Sequence, residues 1–357
     1  MAMRQRNLRS ALVLLTLVVS LGVLIVLTGA CQKASKPVAD LTPYPLEIPL
    51  GLDKNYAKWI PADNPLTAAK VELGKKLYFD PRLSVDGSIS CASCHKPEHG
   101  FADEARFSDG VQGQLGDRNS PTVLNRLYSK AQFWDGRAAS LEEQALGPVQ
   151  NPAEMASSLP LMVSGLSKIA AYKPDFQKAF GSEEITAERV GKAIASFERT
   201  LLSGNSAFDR FQAGDTSALS ESAQRGFAVF MSKGNCAQCH PLPNFTDEGY
   251  HNLGVGVNKP NPDLGRFKVT KNEKDRGAFK TPTLRDVANT EPYLHDGSEE
   301  TIEAVVALVG RGGVRNPNLD PKMKPLRLTK AEQADLVEFL KSLTGEPLNI
   351  TEPVLPK

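Results

Sequence analysis

Two short segments of the chain carry residue types that can hold an iron cofactor. Residues 91–95 read Cys-Ala-Ser-Cys-His and residues 236–240 read Cys-Ala-Gln-Cys-His. In this pattern two thiols bond to the vinyl groups of a c-type haem and the adjacent His binds its iron. Zinc sites also use paired cysteines, but with about 12–20 residues between the pairs. Here the first cysteines lie 145 residues apart and a His follows each pair, which favours haem. The predicted attachment residues are Cys91, Cys94, Cys236 and Cys239, and the predicted iron ligands are His95 and His240.

The composition is that of an ordinary globular protein. Of 357 residues, 41% are hydrophobic and 23% are charged, and the net charge is +1. No basic run suggests nucleic acid, so we expect no nucleic-acid partner. The chain has 5 cysteines, and the two motifs leave only Cys31, so a disulfide framework is excluded.

The N-terminus is predicted to be an export segment. Three arginines before residue 10 precede an apolar run over residues 11–27, which is typical of an export signal. Residues 27–31, Leu-Thr-Gly-Ala-Cys, then resemble a bacterial lipoprotein box, which makes Cys31 the predicted site of lipid attachment. An uncleaved membrane anchor is the alternative. Both interpretations place the remaining chain in the periplasm, with residues 1–30 as the signal and 31–55 as a tether.

The rest of the chain contains an internal repeat. Gly-Lys-Lys-Leu-Tyr at 74–78 precedes the first haem motif, and Gly-Phe-Ala-Val-Phe at 226–230 precedes the second. After each motif a Pro-Thr pair is followed, 14 residues after its Pro, by Asp-Gly. The Pro and Asp positions are Pro121 and Asp135 in the first half, and Pro282 and Asp296 in the second.

The spacing of apolar residues predicts an all-α fold. Residues 190–201 and 336–343 place apolar side chains on one face of a helix at the end of each half. Thr329 and Glu332 form a capping box before the second of these helices. No stretch shows the alternation of a strand. We therefore predict two cytochrome c-like haem domains related by the repeat, over residues 56–215 and 216–357.

With these residues in view, the chain resembles the bacterial di-haem cytochrome c peroxidases and their MauG-type relatives, from about residue 60 to 345. Residues 133–137, Phe-Trp-Asp-Gly-Arg, look like the family segment that carries a Trp between the haems. Residues 290–297 are similar to the family's Thr-x-Pro-Tyr-x-His-Asp-Gly. The residues that match the family's distal pocket on the first haem are Gln144, Pro148, Glu154 and Met155.

The resemblance implies roles for these residues in splitting hydrogen peroxide. Glu154 is expected to move a proton between the peroxide oxygens, since a carboxylate beside an apolar haem face can have a raised pKa. Gln144 is expected to orient peroxide, and Pro148 to keep the iron site open because it cannot bind iron. Trp134 would lie between the haems. The resemblance also implies one calcium ion between the domains and a homodimer. The positions that match the calcium site are Asn119, Thr290 and Pro292.

The sequence departs from the family at both iron sites. No His occurs between His99 and His240, where many relatives carry a His that blocks the first haem. At the position of the second haem's Met or Tyr ligand, 14 residues after His295, this chain has Val309. Either this haem is five-coordinate, or a ligand comes from elsewhere, with Met323 as the leading candidate. His99, His251 and His295 are interpreted as structural.

The predicted function is the reduction of hydrogen peroxide to water by two covalently bound haem c groups. Electrons would come from a small cytochrome c or a cupredoxin. One alternative is MauG-type oxidation of a partner protein. Another is an electron-transfer cytochrome without catalysis, which requires two six-coordinate haems, while neither domain shows a ligand at its distal position.

Overall fold

The computed structural model describes residues 38–357. The predicted export signal and Cys31 lie outside the described residues. Within residues 38–357, no helix has both the length and the apolar character that a membrane crossing requires.

Helices connected by long loops make up the first half of the described chain. Hydroxyl side chains cap several of them, as where Ser140 accepts a hydrogen bond from Glu143 N and Thr186 accepts one from Arg189 N. The helices are α1 (Ala68–Tyr78), α2 (Cys91–Cys94), α3 (Leu141–Gln150), α4 (Leu159–Ser167), α5 (Lys173–Phe180), α6 (Ala187–Glu198) and α7 (Ala207–Gln212).

The second half has fewer helices and one very short sheet. The predicted capping box is confirmed, since Thr329 and Glu332 bond to each other's backbone N–H groups. The helices are α8 (Glu221–Met231), α9 (Phe267–Thr270), α10 (Ile302–Gly310) and α11 (Lys330–Lys341). Strands β1 (Tyr250–His251) and β2 (Phe279–Lys280) pair antiparallel, with Tyr250 opposite Lys280. The structure is thus mostly helical, which confirms that part of the all-α prediction, but the short sheet was not predicted.

One helix pair in each half meets at a glycine. A Cβ atom added to Gly74 of α1 would collide with the carbonyl oxygen of Ala193 in α6. A Cβ added to Gly226 of α8 would likewise collide with the carbonyl oxygen of Asp335 in α11. The missing side chain therefore lets the two backbones approach closely in both halves. The internal repeat itself stays a prediction.

Each half has its own apolar core beside its haem motif. In the first, Tyr78 of α1 and Phe197 of α6 are buried and meet edge to face, with ring centroids 5.2 Å apart. In the second, aromatic rings from three helices and one loop pack together. They are Phe208, Phe227, Phe230, Phe245 and Phe339.

The described part of the predicted tether packs against the protein. Its apolar residues Leu46, Ile48 and Leu52 join a cluster with Leu127 and Leu202. This packing removes the apolar surface of both segments from water. The segment also reaches the second half, since the carbonyl oxygen at position 51 accepts a 2.7 Å hydrogen bond from the guanidinium at position 285.

The C-terminal tail runs back to the first half. Leu348 and Ile350 pack against the first core. The carbonyl oxygen of Pro356 accepts a 2.9 Å hydrogen bond from Arg82. Both ends of the described chain thus connect the two halves.

Candidate active site and haem cavities

The first haem motif opens into a large cavity in the first half. Cys91, Cys94 and His95 line it. The empty space in it, including the open mouth, is about 1350 Å³.

His95 is oriented by the loop that follows the motif. Its Nδ1 lies 3.3 Å from the carbonyl oxygen of Phe101, which leaves Nε2 available as a ligand. Tyr78 donates a 3.1 Å hydrogen bond to the His95 carbonyl oxygen. Burial lowers the pKa of His95, which favours the neutral imidazole that a metal requires.

The four residues of the predicted distal pocket all line this same cavity. Gln144 and Pro148 lie one turn apart on α3. The chain then reverses at Asn151, because Met155 N donates to the carbonyl oxygen of Pro148 at 3.2 Å. This turn brings Glu154 and Met155 back to the cavity beside α3.

Glu154 is held from two sides. Asn151 donates a side-chain hydrogen bond of 2.7 Å to its Oε1, and Val111 N donates to its carbonyl oxygen at 2.8 Å. The glycine at position 110 permits this approach, since a Cβ there would collide with the carbonyl oxygen of Ala153. Burial raises the pKa of Glu154, and the bond from Asn151 opposes the rise.

Trp134 lines both the first and the second cavity. Its Nε1 donates a 2.8 Å hydrogen bond to the carbonyl oxygen of Asn119, and its own carbonyl oxygen accepts one of 2.7 Å from Lys280 N. Its ring meets His295 edge to face, with ring centroids 6.5 Å apart. The indole is therefore fixed between the two cavities.

The structure adds charged residues that sequence analysis did not select. Arg126, Glu198 and Lys280 all line the first cavity. Glu198 is 4% exposed, and its Oε2 has no hydrogen-bond partner. Burial raises the pKa of Glu198 to about 8. Its position beside Phe197, on a helix with an apolar face, was the one available sequence signal.

Arg126 makes the first cavity suitable for a ligand with carboxylates. Its guanidinium donates to the Gln132 side chain at 2.6 Å and to the Ala131 carbonyl oxygen at 3.1 Å. Within residues 38–357 no carboxylate forms an ion pair with it. Arg126 is half-buried, and the Oε2 atom of Glu198 is buried without a partner, so both side chains can take a further polar partner. A haem carries two carboxylates, so Arg126 and Glu198 fit haem as the occupant.

The second haem motif lines a second, more apolar cavity, together with Val309 and Met323. His240 Nδ1 lies 2.8 Å from the carbonyl oxygen of Phe245, which leaves its Nε2 available, as for His95. Apolar side chains form most of the wall. They include Phe230, Leu253, Leu284, Val305, Val306, Leu336 and Leu340. The cavity also fits a haem.

The remaining histidines have partners that explain their burial or position. His295 stacks on Phe279, with ring centroids 3.5 Å apart, and burial lowers its pKa to about 4. His251 lies between two carboxylates, with Nδ1 2.6 Å from Asp320 and Nε2 2.9 Å from Asp247. The third, at position 99, is partly exposed beside a glutamate, 3.5 Å away.

The three predicted calcium positions, Asn119, Thr290 and Pro292, all line the second cavity. Asn119 N donates a 2.9 Å hydrogen bond to the His295 carbonyl oxygen. Its side-chain amide points back to two carbonyl oxygens of the first half, at 3.3 and 3.4 Å.

Comparison with known proteins covers both halves. The family model described as di-haem cytochrome c peroxidase matches residues 68–217, and the cytochrome c model matches residues 223–344. The chain is 46% identical to the methylamine utilization protein MauG of Methylorubrum extorquens, over 83% of this chain and 84% of that protein. It is 42% identical to the cytochrome c551 peroxidase of Nitrosomonas europaea, over 83% and 86%.

A solved structure shares the fold over a similar extent. It is a MauG-like protein associated with microbial copper homeostasis, with a TM-score of 0.75 and 30% identity. The match covers 83% of this chain and 96% of that protein.

Proposed function

The chain belongs to the family of di-haem cytochrome c peroxidases and MauG proteins, and we propose that it reduces hydrogen peroxide to water. The family is one of oxidoreductases, and membership implies two haem c groups. We further propose the periplasm as its location and a small cytochrome c or cupredoxin as the electron donor. The predicted haem motifs, residues 91–95 and 236–240, would attach the two groups.

The observation that carries this proposal is the position of Glu154 and Gln144 in one cavity with His95. Peroxide reduction consumes two electrons and two protons per hydrogen peroxide and yields two water molecules. Haem iron, when bound, supplies the redox chemistry that splits the O–O bond. The protein must supply an acid–base group close to both peroxide oxygens.

Glu154 is suited to this proton transfer. Its carboxylate would take a proton from one peroxide oxygen and return it to the other, which would depart as water. Its raised pKa brings the group closer to the working pH, where a proton can be both taken and returned. Gln144 donates to or accepts from peroxide without titrating, so it orients the substrate at any pH.

Trp134 is suited to connect the two cavities. It lines both of them, and its bond to Asn119 holds the ring in place. Electrons that enter at the second cavity would reach the first along this side chain.

The first cavity is proposed to be always open to peroxide. Between His99 and His240 the sequence has no His that could close it, and Pro148 offers no ligand atom. For the second cavity, Met323 is the proposed sixth ligand, because it lines the cavity while Val309 cannot bind iron.

The test is peroxide-driven oxidation of a reduced small cytochrome c by the fully oxidised protein. Immediate turnover without prior reduction is expected. A haem spectrum that does not respond to peroxide would contradict the proposal.

A second candidate is MauG-type oxidation of a partner protein, because the chain is similar to a methylamine utilization protein named MauG. The absence of a blocking His favours it, whereas Val309 in place of a Tyr ligand does not. A long-lived oxidised spectrum after peroxide, without turnover of the small cytochrome, would favour this candidate. A covalent change in a neighbouring protein would then identify the partner.

We also propose one calcium ion held by Asn119, Thr290 and Pro292, lipid attachment at Cys31, and a homodimer. The calcium proposal is supported by the fact that all three residues line the second cavity. Chelation should lower activity, and added calcium should restore it. Mass spectrometry of the mature N-terminus tests the lipid, and light scattering tests the dimer.

A further inference from the structure

A basic stretch of chain borders the second cavity. Residues 311–330 form a loop that enters α11, and most of their cationic side chains are exposed. The whole chain has a net charge of only +1, so this concentration is local. Within residues 38–357 none of the exposed cations in this stretch forms an ion pair. They are Arg311, Arg315, Lys324, Arg327 and Lys330, and we call them the basic rim.

The basic rim lies at the edge of the second cavity that holds the haem motif. Lys324 lines the cavity, as do its neighbours Lys322 and Met323. The Lys322 ammonium group donates a 3.1 Å hydrogen bond to the Gln238 carbonyl oxygen and lies 3.9 Å from Cys239 Sγ. The cations therefore border the site where a cysteine would attach the second haem.

Backbone hydrogen bonds fix this stretch to the protein. Leu326 N donates to the Gly310 carbonyl oxygen at 2.9 Å, which places the two arms of the loop side by side. Val314 N donates to the Leu253 carbonyl oxygen at 2.9 Å. The rim is thus attached at both ends and its charges are held near one another.

The one acid of the stretch does not neutralise the rim. Asp320 Oδ2 lies 2.6 Å from His251 Nδ1, so its carboxylate is paired with this histidine. Apolar surface is available close to the rim, since Met231 at the end of α8 is 49% exposed. Lys233, two residues later, pairs with Glu332 in the first turn of α11, beside Lys330. The surface therefore combines exposed cations with an exposed apolar side chain.

We propose that the basic rim docks the electron donor, and that this donor is a small redox protein with an acidic surface around its own redox centre. The inference rests on the proposed function, for which it specifies the partner. Opposite charges raise the rate of encounter and orient the two proteins. The rim's position would bring the donor to the second cavity, from which Trp134 leads to the first.

The test compares two triple variants with the same change in net charge. R315E/R327E/K330E reverses three cations of the rim that do not line the cavity, and K54E/K168E/K173E reverses three exposed cations of the first half that form no ion pair within the described residues. With an acidic small cytochrome as donor, the rim variant should lose about tenfold or more in kcat/KM at low ionic strength. The control variant should keep most of the wild-type value, and added salt should slow the wild type.

A small reductant separates this inference from the proposed function. With ascorbate as donor, both variants should reduce peroxide as the wild type does. If the wild type does not reduce peroxide with ascorbate, the proposed function is refuted, independently of the results for the rim variants. Equal losses in both triple variants with the acidic cytochrome, or no loss in the rim variant, would refute the docking site.

Two further measurements complete the test. R315Q/R327Q/K330Q neutralises the same three cations without reversing them. It should lose less kcat/KM than the reversed variant, and it controls for misfolding caused by charge reversal. The second measurement is sedimentation with vesicles of neutral and anionic lipid. If the wild type sediments with the vesicles and the rim variant does not, while both oxidise the donor cytochrome equally fast, the rim binds a membrane surface and the proposal is overturned.

Discussion

Asn151 donates a 2.7 Å hydrogen bond to one carboxylate oxygen of Glu154 and leaves the other oxygen without this partner. The bond favours the ionised form of Glu154, while burial favours the protonated form. Burial and the hydrogen bond from Asn151 thus shift the pKa of Glu154 in opposite directions. Asn151 is thus placed to set the pH at which the carboxylate becomes available.

Replacing Asn151 by Asp should move the pH dependence of turnover. The new carboxylate keeps the oxygen that accepts from Ala153 N, but it repels Glu154 and raises its pKa. The acidic limb of kcat/KM for peroxide should then shift upward by about one pH unit or more. Gln150→Glu adds the same charge at an exposed neighbouring position and should shift it little. An unmoved limb in the Asp variant would argue against Glu154 as the titrating group.

Replacing Glu154 by Gln should abolish most of the peroxidase activity. The amide keeps the shape but cannot carry the proton, so kcat should fall by about 10² or more. Steady-state turnover with excess reduced cytochrome measures the loss, and haem absorbance checks cofactor content. Glu143→Gln, on the exposed face of α3, is the matched control. A fully active Glu154 variant would show that another group moves the proton.

Replacing Met323 by Leu should change the spectrum of the second haem. If Met323 is the sixth ligand, the variant becomes five-coordinate and high-spin, and its reduction potential falls because Met ligation raises the potential. Absorption and resonance Raman spectra of the oxidised protein follow the change. Met162→Leu, in the first core, is the control. Identical spectra for wild type and the Met323 variant would mean that this haem has no Met ligand.

Replacing Glu198 by Gln should flatten the pH dependence of stability. In the folded protein burial raises the pKa of Glu198 from its ordinary value of 4.5 to about 8. Between these values the folded state holds a proton that the unfolded state releases, so the free energy of unfolding falls as pH rises. The slope from one proton is at most about 1.4 kcal/mol per pH unit.

Denaturant unfolding at several pH values between 5 and 9 measures this difference. The Gln variant should gain stability relative to the wild type as pH rises toward 8. Glu183→Gln, an exposed acid, should leave the pH profile unchanged. Parallel curves for the wild type and the Glu198 variant would show that Glu198 is ionised in the folded protein.

Replacing Arg285 by Met should strongly destabilise the protein. Arg285 and Asp209 form a buried ion pair of 2.8 Å, with side chains 1% and 2% exposed. Loss of the cation leaves a buried carboxylate unpaired, at a cost of about 3–5 kcal/mol. Arg225→Met breaks the more exposed pair with Asp335 and should cost about 1 kcal/mol or less.

Chemical denaturation followed by circular dichroism measures both variants. The double variant D209N/R285M should recover part of the loss, because it removes the unpaired charge. A cost for Arg285→Met no greater than for Arg225→Met would show that the pair contributes little.

The sequence predicted the haem motifs and the mostly helical fold because both depend on local spacing. Thr329 and Glu332, for example, form a capping box within four positions, which predicts the start of α11. The resemblance predicted Gln144 and Glu154 as distal residues from their fixed spacing; both line the first cavity, and their distal role stays a prediction. Their joint position in one cavity depends on the reversal at Asn151, which follows from backbone hydrogen bonds.

Residues that meet only through tertiary contacts were not predicted. Arg126 and Glu198 lie 72 positions apart, and neither belongs to a motif. Glu198 stands out only once its unpaired oxygen is seen inside a cavity. The packing of Leu46 and Ile48 was likewise hidden, because a proline-rich segment gives no sign of the surface it will cover.

The two chain ends make the halves poor candidates for exchange as independent modules. A gene for the first half alone would omit Leu348 and Ile350, which cover its core. A gene for the second half alone would omit the carbonyl group of Gly51, which accepts from Arg285. A chimaera between two relatives should therefore carry each terminal segment together with the half on which it rests. During evolution, the same constraint would favour inheriting both haem sites as one unit.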